Sequence, residues 1–286
     1  MHKINFGKFH GFGNDYIVIE NEQLSEIRDL AEFTRSICNR HTGVGGDGLA
    51  LLEKLDGSEA DFGCRIVNPD GSEVGFSGNG TRCAVAYLYF NKLWLTKNLR
   101  LKTRSGTKNY ELLGREGNTF RYLAEIGKPA FSSDQIPFIA EEKMDSVVNF
   151  DLQLSDRTLP VTALNVGNPV CAIFVEDFEF DWRKIGKEIE NHKQFPERTN
   201  VVFVKISDRS NIEIRIWERG AGETSSSGTC SIGAAVASAF TDRTERTVAV
   251  HAEGGTTEAV WRDDDEMLIT GRADLAFCGQ YSYGED

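Results

Sequence analysis

A chain of 286 residues has room for about two domains of roughly 150 residues each. With 40% apolar and 27% charged residues, it has an ordinary globular composition and enough material for two cores. The net charge of −12 repels phosphate backbones and anionic lipid, which argues against a general nucleic-acid or membrane-surface binder but not against a small anionic ligand in a local pocket.

In chain order, 16–19 reads as a strand, 25–37 as a helix and 61–67 as a strand. A turn at Asn68-Pro69-Asp70-Gly71, a glycine-rich bend and an apolar helix over 80–91 follow. Paired strands are expected over 99–113 and 119–126. The looser, proline-bearing segment 127–138 is the expected domain boundary. Beyond it, strands are predicted at 146–153, 160–166 and 170–175, and a helix at 181–191. Strands at 200–206 and 211–217 lead into a Gly/Ser-rich bend and a small-residue helix over 229–240. Strands at 246–252, 257–262 and 266–277 complete the chain. No stretch approaches roughly 18 uninterrupted apolar residues, and Met1-His2-Lys3-Ile4-Asn5-Phe6 enters a strand-like pattern without a signal peptide's apolar block. The six cysteines (38, 64, 83, 171, 230 and 278) are spread singly. They read as reduced, mostly buried thiols of a cytoplasmic protein, with no metal site or disulfide framework.

An internal repeat runs through this order. Arg65-Ile66 recurs as Arg215-Ile216, Glu73 as Glu223 and Ser77-Gly78 as Ser227-Gly228, always 150 positions later. Gly13-Asn14 is echoed by Gly167-Asn168. Both copies read strand, polar turn, Ser-Gly bend, apolar helix, so two similar halves facing one another across a cleft are expected.

A bend that delivers a small polar residue and glycines to a helix start has a physical use. The first backbone N–H groups of a helix lack intrahelical partners and carry the positive end of its dipole. Glycine lets a carboxylate approach them. Taken singly, Ser77 and Ser227 are N-caps; as a mirrored pair they point to a ligand held between two helix ends. Two groups on opposite faces of one carbon suit two-base proton transfer, but that chemistry needs groups whose pKa reaches the working pH. A cysteine at a helix N-terminus meets the requirement and a serine does not.

Long blocks run in order along the chain: Phe9-His10-Gly11-Phe12-Gly13-Asn14-Asp15, Asn39-Arg40-His41-Thr42-Gly43-Val44-Gly45 and Arg65-Ile66-Val67-Asn68-Pro69-Asp70-Gly71-Ser72-Glu73. They continue through Ser77-Gly78-Asn79-Gly80-Thr81-Arg82-Cys83, Val166-Gly167-Asn168-Pro169, Phe195-Pro196-Glu197-Arg198-Thr199-Asn200 and Glu218-Arg219-Gly220-Ala221-Gly222-Glu223-Thr224. By these blocks the chain resembles the diaminopimelate epimerase family. The resemblance implies an α/β (α+β) fold of two pseudo-symmetric domains, each a mixed sheet or barrel wrapped around a central helix. The expected halves are 1–126 with a returning strand over 274–286, and 127–273. It implies a cofactor-independent isomerase that interconverts LL- and meso-diaminopimelate in lysine and peptidoglycan biosynthesis. A small-molecule amino acid substrate and a cytoplasmic homodimer are implied, with no nucleic-acid or membrane partner.

Carried over by position, the resemblance places the family's two catalytic cysteines on Ser77 and Ser227, both replaced. It places the carboxylate cradle on Gly78, Asn79, Gly228 and Thr229. Recognition of the distal amino acid end falls on Asn14, Asn68, Asn168, Asn200, Glu218 and Arg219. The chemistry agrees, since Arg219 can hold a carboxylate with two hydrogen bonds while Glu218 and the amides accept from an ammonium. A lone Asn in such a turn also serves as a local backbone cap, and Asn68 most of all. Two departures stand out: Val170 where the family often has histidine, and Gly48 where some members carry glutamine. Cys230, one helical turn beyond Ser227, is the other thiol at a bend, and packing is its main reading, as for Cys83. Three readings stay open: a diaminopimelate-type epimerase with impaired chemistry, its serines natural or put in place of cysteines to trap substrate; a related isomerase or dehydratase relying on carboxylates such as Glu73 and Glu223; and a non-catalytic amino-acid-binding homologue.

Overall fold

Two stretches have no polar face: Gly78–Phe90 and Gly228–Phe240 are rich in Ala, Val, Gly and Cys on every side. A helix that is apolar all round can be stable only when surrounded. In the computed structural model, which describes residues 2–75 and 77–284, both are helices with strands packed about them. The chain divides into two compact units, Met1–Ala124 with Gly271–Asp286, and Glu125–Thr270.

The first unit holds β1 (His2–Gly11), β2 (Asn14–Glu20), α1 (Leu30–Cys38), β3 (Gly48–Lys54), β4 (Phe62–Val67), the short β5 (Glu73–Val74), α2 (Gly78–Phe90), β6 (Asn98–Thr103), β7 (Gly106–Glu116) and most of β8 (Thr119–Gly127). The long last strand β17 (Met267–Tyr283) adds its second half, pairing His2 with Tyr283 through His10 with Asp274. The order β17–β1–β2–β3–β4–β6–β7–β8 returns to β17, so eight strands form a closed barrel. Helix α2 fills it, with Asn79 to Tyr89 buried, and it packs on β1, β2, β3 and β4. Closure leaves no unpaired sheet edge. On the outside, Phe33 and Ile37 of α1 complete a second core with Ile4, Ile17, Ile19, Leu49, Leu51 and Val67.

The second unit repeats the plan with β9 (Val147–Gln153), β10 (Thr158–Asn165), β11 (Pro169–Phe174), α3 (Trp182–Glu190), β12 (Asn200–Asp208), β13 (Asn211–Glu218), β14 (Gly222–Thr224), α4 (Gly228–Phe240), β15 (Thr247–Ala252), β16 (Gly255–Trp261) and the start of β17. Among the described residues, each unit has two parallel strand pairs within an otherwise mainly antiparallel ladder. The parallel pairs β2–β3 and β11–β12 are bridged by α1 and α3, while β4–β6 and β13–β15 are bridged by α2 and α4. A parallel pair needs such a crossover because a tight turn cannot join it. Helices α2 and α4 lie 150 positions apart at both ends, and each is followed by a residue in left-handed conformation, Lys92 (φ 59°) and Asp242 (φ 56°). The Gly13 and Gly167 turns match as well, with φ of 90° and 93°.

Three sequence expectations change. The helix foreseen over 25–37 starts only at Leu30, because Asp29 caps it by accepting from the Glu32 amide, and Asn21–Leu24 forms a short 3-10 turn instead. The paired strands expected over 99–113 and 119–126 are three, β6, β7 and β8, the first two forming a hairpin folded back at Gly106 (φ 99°). Strand β3 was not foreseen. No helix among the described residues is long and apolar enough to cross a membrane.

Candidate active site

The first bend is built from β2, β3 and the start of α2. Ser77 is the N-cap of α2: its backbone is extended (φ −136°, ψ 120°) and its Oγ accepts from the Gly80 amide at 3.1 Å. The same Oγ lies 2.9 Å from the Tyr16 hydroxyl. A Cβ at Gly80 would fall 2.9 Å from Cε1 of Tyr16, and one at Gly48 would fall 2.6 Å from it. The two glycines therefore form the slot that the tyrosine ring fills. Beyond the cap, Asn79 is buried and its Oδ1 accepts from the guanidinium of Arg82. A guanidinium can only donate, so the Asn79 oxygen faces Arg82 and its NH2 faces away. Arg82 is fully enclosed without a carboxylate partner among the described residues, and this burial pulls its pKa below the usual arginine value.

The Gly13 turn starts β2 and carries a polar cluster. Asn14 donates to Asp47 at 2.9 Å. Asp15 receives Lys8 Nζ at 2.7 Å and two hydrogen bonds from Arg40, at 3.0 and 2.7 Å. Burial alone would raise the Asp15 pKa, yet the hydrogen bonds from Arg40 and Lys8 hold its carboxyl well below the usual carboxylate range. Lys8 is buried and also donates to the Gly45 carbonyl. Asn68 bonds within its own turn, donating to the Ser72 hydroxyl at 3.0 Å and, from its backbone, to the Ser72 carbonyl. The local capping expected of that residue is what its side-chain amide does.

The second bend repeats the first. Ser227 caps α4 with an extended backbone (φ −150°, ψ 124°), and its Oγ accepts from the Cys230 amide at 3.4 Å, with the Thr229 hydroxyl 3.4 Å away. The carboxyl here is Glu218, at the end of β13. Burial pushes its pKa up, and a hydrogen bond with Ser227 partly offsets this. Sequence reasoning placed Glu218 at the distal end of a ligand, and the structure sets its carboxyl near Ser227 and Thr224. The visible signal was that β13 and α4 are joined only by the short β14 hairpin.

In the same unit, Asn200 begins β12 beside the β10–β11 turn that carries Asn168. Its Nδ2 donates to the Pro169 carbonyl at 3.2 Å, and its Oδ1 accepts from the Arg219 amide at 3.0 Å. Asn200, Arg219 and the turn of Asn168 are thus held together. The Arg219 guanidinium is half-buried and donates to the Glu197 carbonyl at 3.0 Å. Val170 is fully buried against Gly233 of α4, where a Cβ would meet it at 2.9 Å.

The mirrored acids Glu73 and Glu223 have other work. Glu73 takes two hydrogen bonds from Arg65, at 3.2 and 3.0 Å, and Glu223 two from Arg183, at 2.7 and 2.6 Å. Both carboxylates are held low by these pairs. The thiols next to the bends are packing groups: burial pushes Cys83 up to about 12 and Cys230 further still, the opposite of activation. The six cysteines are free, and only Cys278 is exposed.

The diaminopimelate epimerase family model matches residues 6–131 and 162–276. A diaminopimelate epimerase of Desulfitobacterium hafniense is 37% identical over 275 residues, covering 95% of this chain and 96% of that protein. One from Halothermothrix orenii is 34% identical over 279 residues, covering 97% and 98%. Among solved structures, a probable proline racemase from Agrobacterium radiobacter K84 superposes with a TM-score of 0.68 at 15% identity, over 99% of this chain and 93% of that one. The last shows a shared fold; the sequence matches span nearly every element described above, both serine-capped bends included, and by them the chain belongs to the diaminopimelate epimerase family.

Proposed function

We propose that this chain is a cofactor-independent amino acid epimerase acting on diaminopimelate, with Ser77 on one face of the substrate α-carbon and Ser227 on the other. The observation that carries this reading is the likeness of the two bends: each places a serine at a helix N-cap, its Oγ accepting from the third helical amide, at the start of an enclosed helix. One group removes the α-proton and the other delivers a proton to the opposite face, which inverts the centre. The amides of Gly78, Asn79, Gly228 and Thr229 hold the carboxylate next to that carbon. Asn14, Asn68, Asn168, Asn200, Glu218 and Arg219 recognise the rest of the zwitterion. Segments 1–126 with 274–286, and 127–273, are the two functional halves, and the protein works as a cytoplasmic homodimer.

A serine hydroxyl is a poor base without help, so turnover of diaminopimelate by this chain is expected to be low. Incubation with LL- and meso-diaminopimelate in heavy water, followed by mass and chiral analysis, tests the reading. Slow α-deuteration with inversion supports it. Exchange accompanied by loss of water assigns a dehydratase instead, and tight binding with no exchange assigns a binding protein.

A further inference from the structure

Ser77 has one proton and two lone pairs. One lone pair accepts the Gly80 amide, and the remaining valences face the Tyr16 hydroxyl at 2.9 Å. Tyr16 is buried, and its ring sits where side chains at positions 48 and 80 would otherwise be, with any Cβ at either within 2.9 Å of Cε1. Gly48 and Tyr16 are thus one device, since the ring could not reach Ser77 with a larger residue at 48. A ring fixed on two glycines and paired through β2–β3, Tyr16 to Gly48, holds its hydroxyl at one place, and that place is the serine oxygen.

We propose that Tyr16 is the proton partner of Ser77, a positioning and relay residue that lets a hydroxyl stand in for a thiol in the first unit. This rests on Ser77 facing the substrate α-carbon, as proposed above. When Ser77 acts as the acid, its O–H bond breaks and the proton goes to the α-carbon, whose electron pair forms the new C–H bond. The Tyr16 O–H bond breaks in turn, and its proton restores the serine hydroxyl. The phenolate left on Tyr16 regains a proton from water. The reverse direction runs the same steps backward, the α-proton passing to Ser77 while the serine proton moves to the phenolate. A phenol, with its ordinary pKa near ~10, is the more suitable proton carrier of the two.

The test compares Tyr16→Phe in two backgrounds, each read as α-deuteration of diaminopimelate in heavy water. One background keeps Ser77 and carries Ser227→Cys; the other carries both Ser77→Cys and Ser227→Cys. With Ser77 kept, Tyr16→Phe lowers kcat about 10- to 100-fold with KM unchanged, less than the ~10²- to 10⁴-fold of a group that meets the reacting atom itself, because the phenol acts through the serine. In the double-cysteine background it changes kcat less than about threefold, because a thiol at position 77 titrates on its own. Equal losses in both backgrounds mean a packing role and overturn the proposal. So does no loss, or no exchange at all, in the Ser77 background when the double-cysteine protein turns over. If the double-cysteine protein is itself inert, the substrate assignment has failed, and the relay is judged by NMR on tyrosine-labelled protein. There, the Tyr16 Cζ resonance moves on Ser77→Ala but not on Ser227→Ala; an unmoved resonance overturns the proposal.

Discussion

The double substitution Ser77→Cys with Ser227→Cys raises epimerisation of diaminopimelate by about 10²- to 10⁴-fold over the native chain, the range spanned by a well-matched acid–base pair. Both positions are already prepared for a thiol. Each side chain sits at an N-cap and accepts from the third helical amide of a glycine-bearing bend. There the helix dipole lowers a thiol's pKa from about 8.5 toward neutrality. Cysteine differs from serine by one atom, a sulfur with a longer bond and a larger radius, so the cap is kept with a small local adjustment while the base improves. Each single substitution repairs one of two proton transfers and gives a smaller gain. Stereospecific exchange rates for the four proteins measure the effect, and a folded double variant that stays inert on diaminopimelate refutes the substrate assignment.

The second large effect is on stability. Asp15→Ala lowers the unfolding free energy by about 3–5 kcal/mol, the cost of leaving a buried charge without its partner. The reason is Lys8, whose side chain is 7% exposed and whose ammonium lies 2.7 Å from Asp15. Replacing both members with apolar residues, Lys8→Met with Asp15→Leu, costs far less than the single change, because no charge is then stranded. The Asp15 carboxyl titrates below its unfolded counterpart. Its contribution is therefore complete above the unfolded value, near pH ~3.9, and is lost as pH falls through the lower folded value. Urea unfolding of the three proteins at neutral pH, and of the native chain and Asp15→Ala down an acid series, reads both the size and the pH window. Equal stability of Asp15→Ala and the native chain contradicts the buried pair.

Much of the fold was legible because it rests on local rules. The apolar helices α2 and α4, their serine caps and the turn glycines at 13 and 167 are short-range signals, and the constant offset of 150 doubled their weight. What was not legible depends on distant neighbours. Strand β3 follows a glycine-rich stretch and shows only the run Leu49 to Leu52 as its signal. The start of α1 was set by Asp29 rather than by Ser25, since only Asp29 has a glutamate three residues on. At the site, Tyr16 reaches Ser77 across 61 positions because β2 and β3 lie side by side and Gly48 of β3 with Gly80 of α2 leaves a slot for its ring. Glu73 and Glu223 drew attention by their symmetry, yet nearby arginines hold both. Glu218, without a mirror mate, is the acid in contact with a serine.

A crystal structure of the native chain with diaminopimelate bound decides whether a stereocentre is handled from two sides. The expected density has the Oγ atoms of Ser77 and Ser227 on opposite faces of one substrate carbon, each in van der Waals contact at about 3.5–4 Å. Its carboxylate would rest on the amides of Gly78, Asn79, Gly228 and Thr229. A ligand whose α-carbon meets only one serine, or neither, would contradict two-base inversion by this pair.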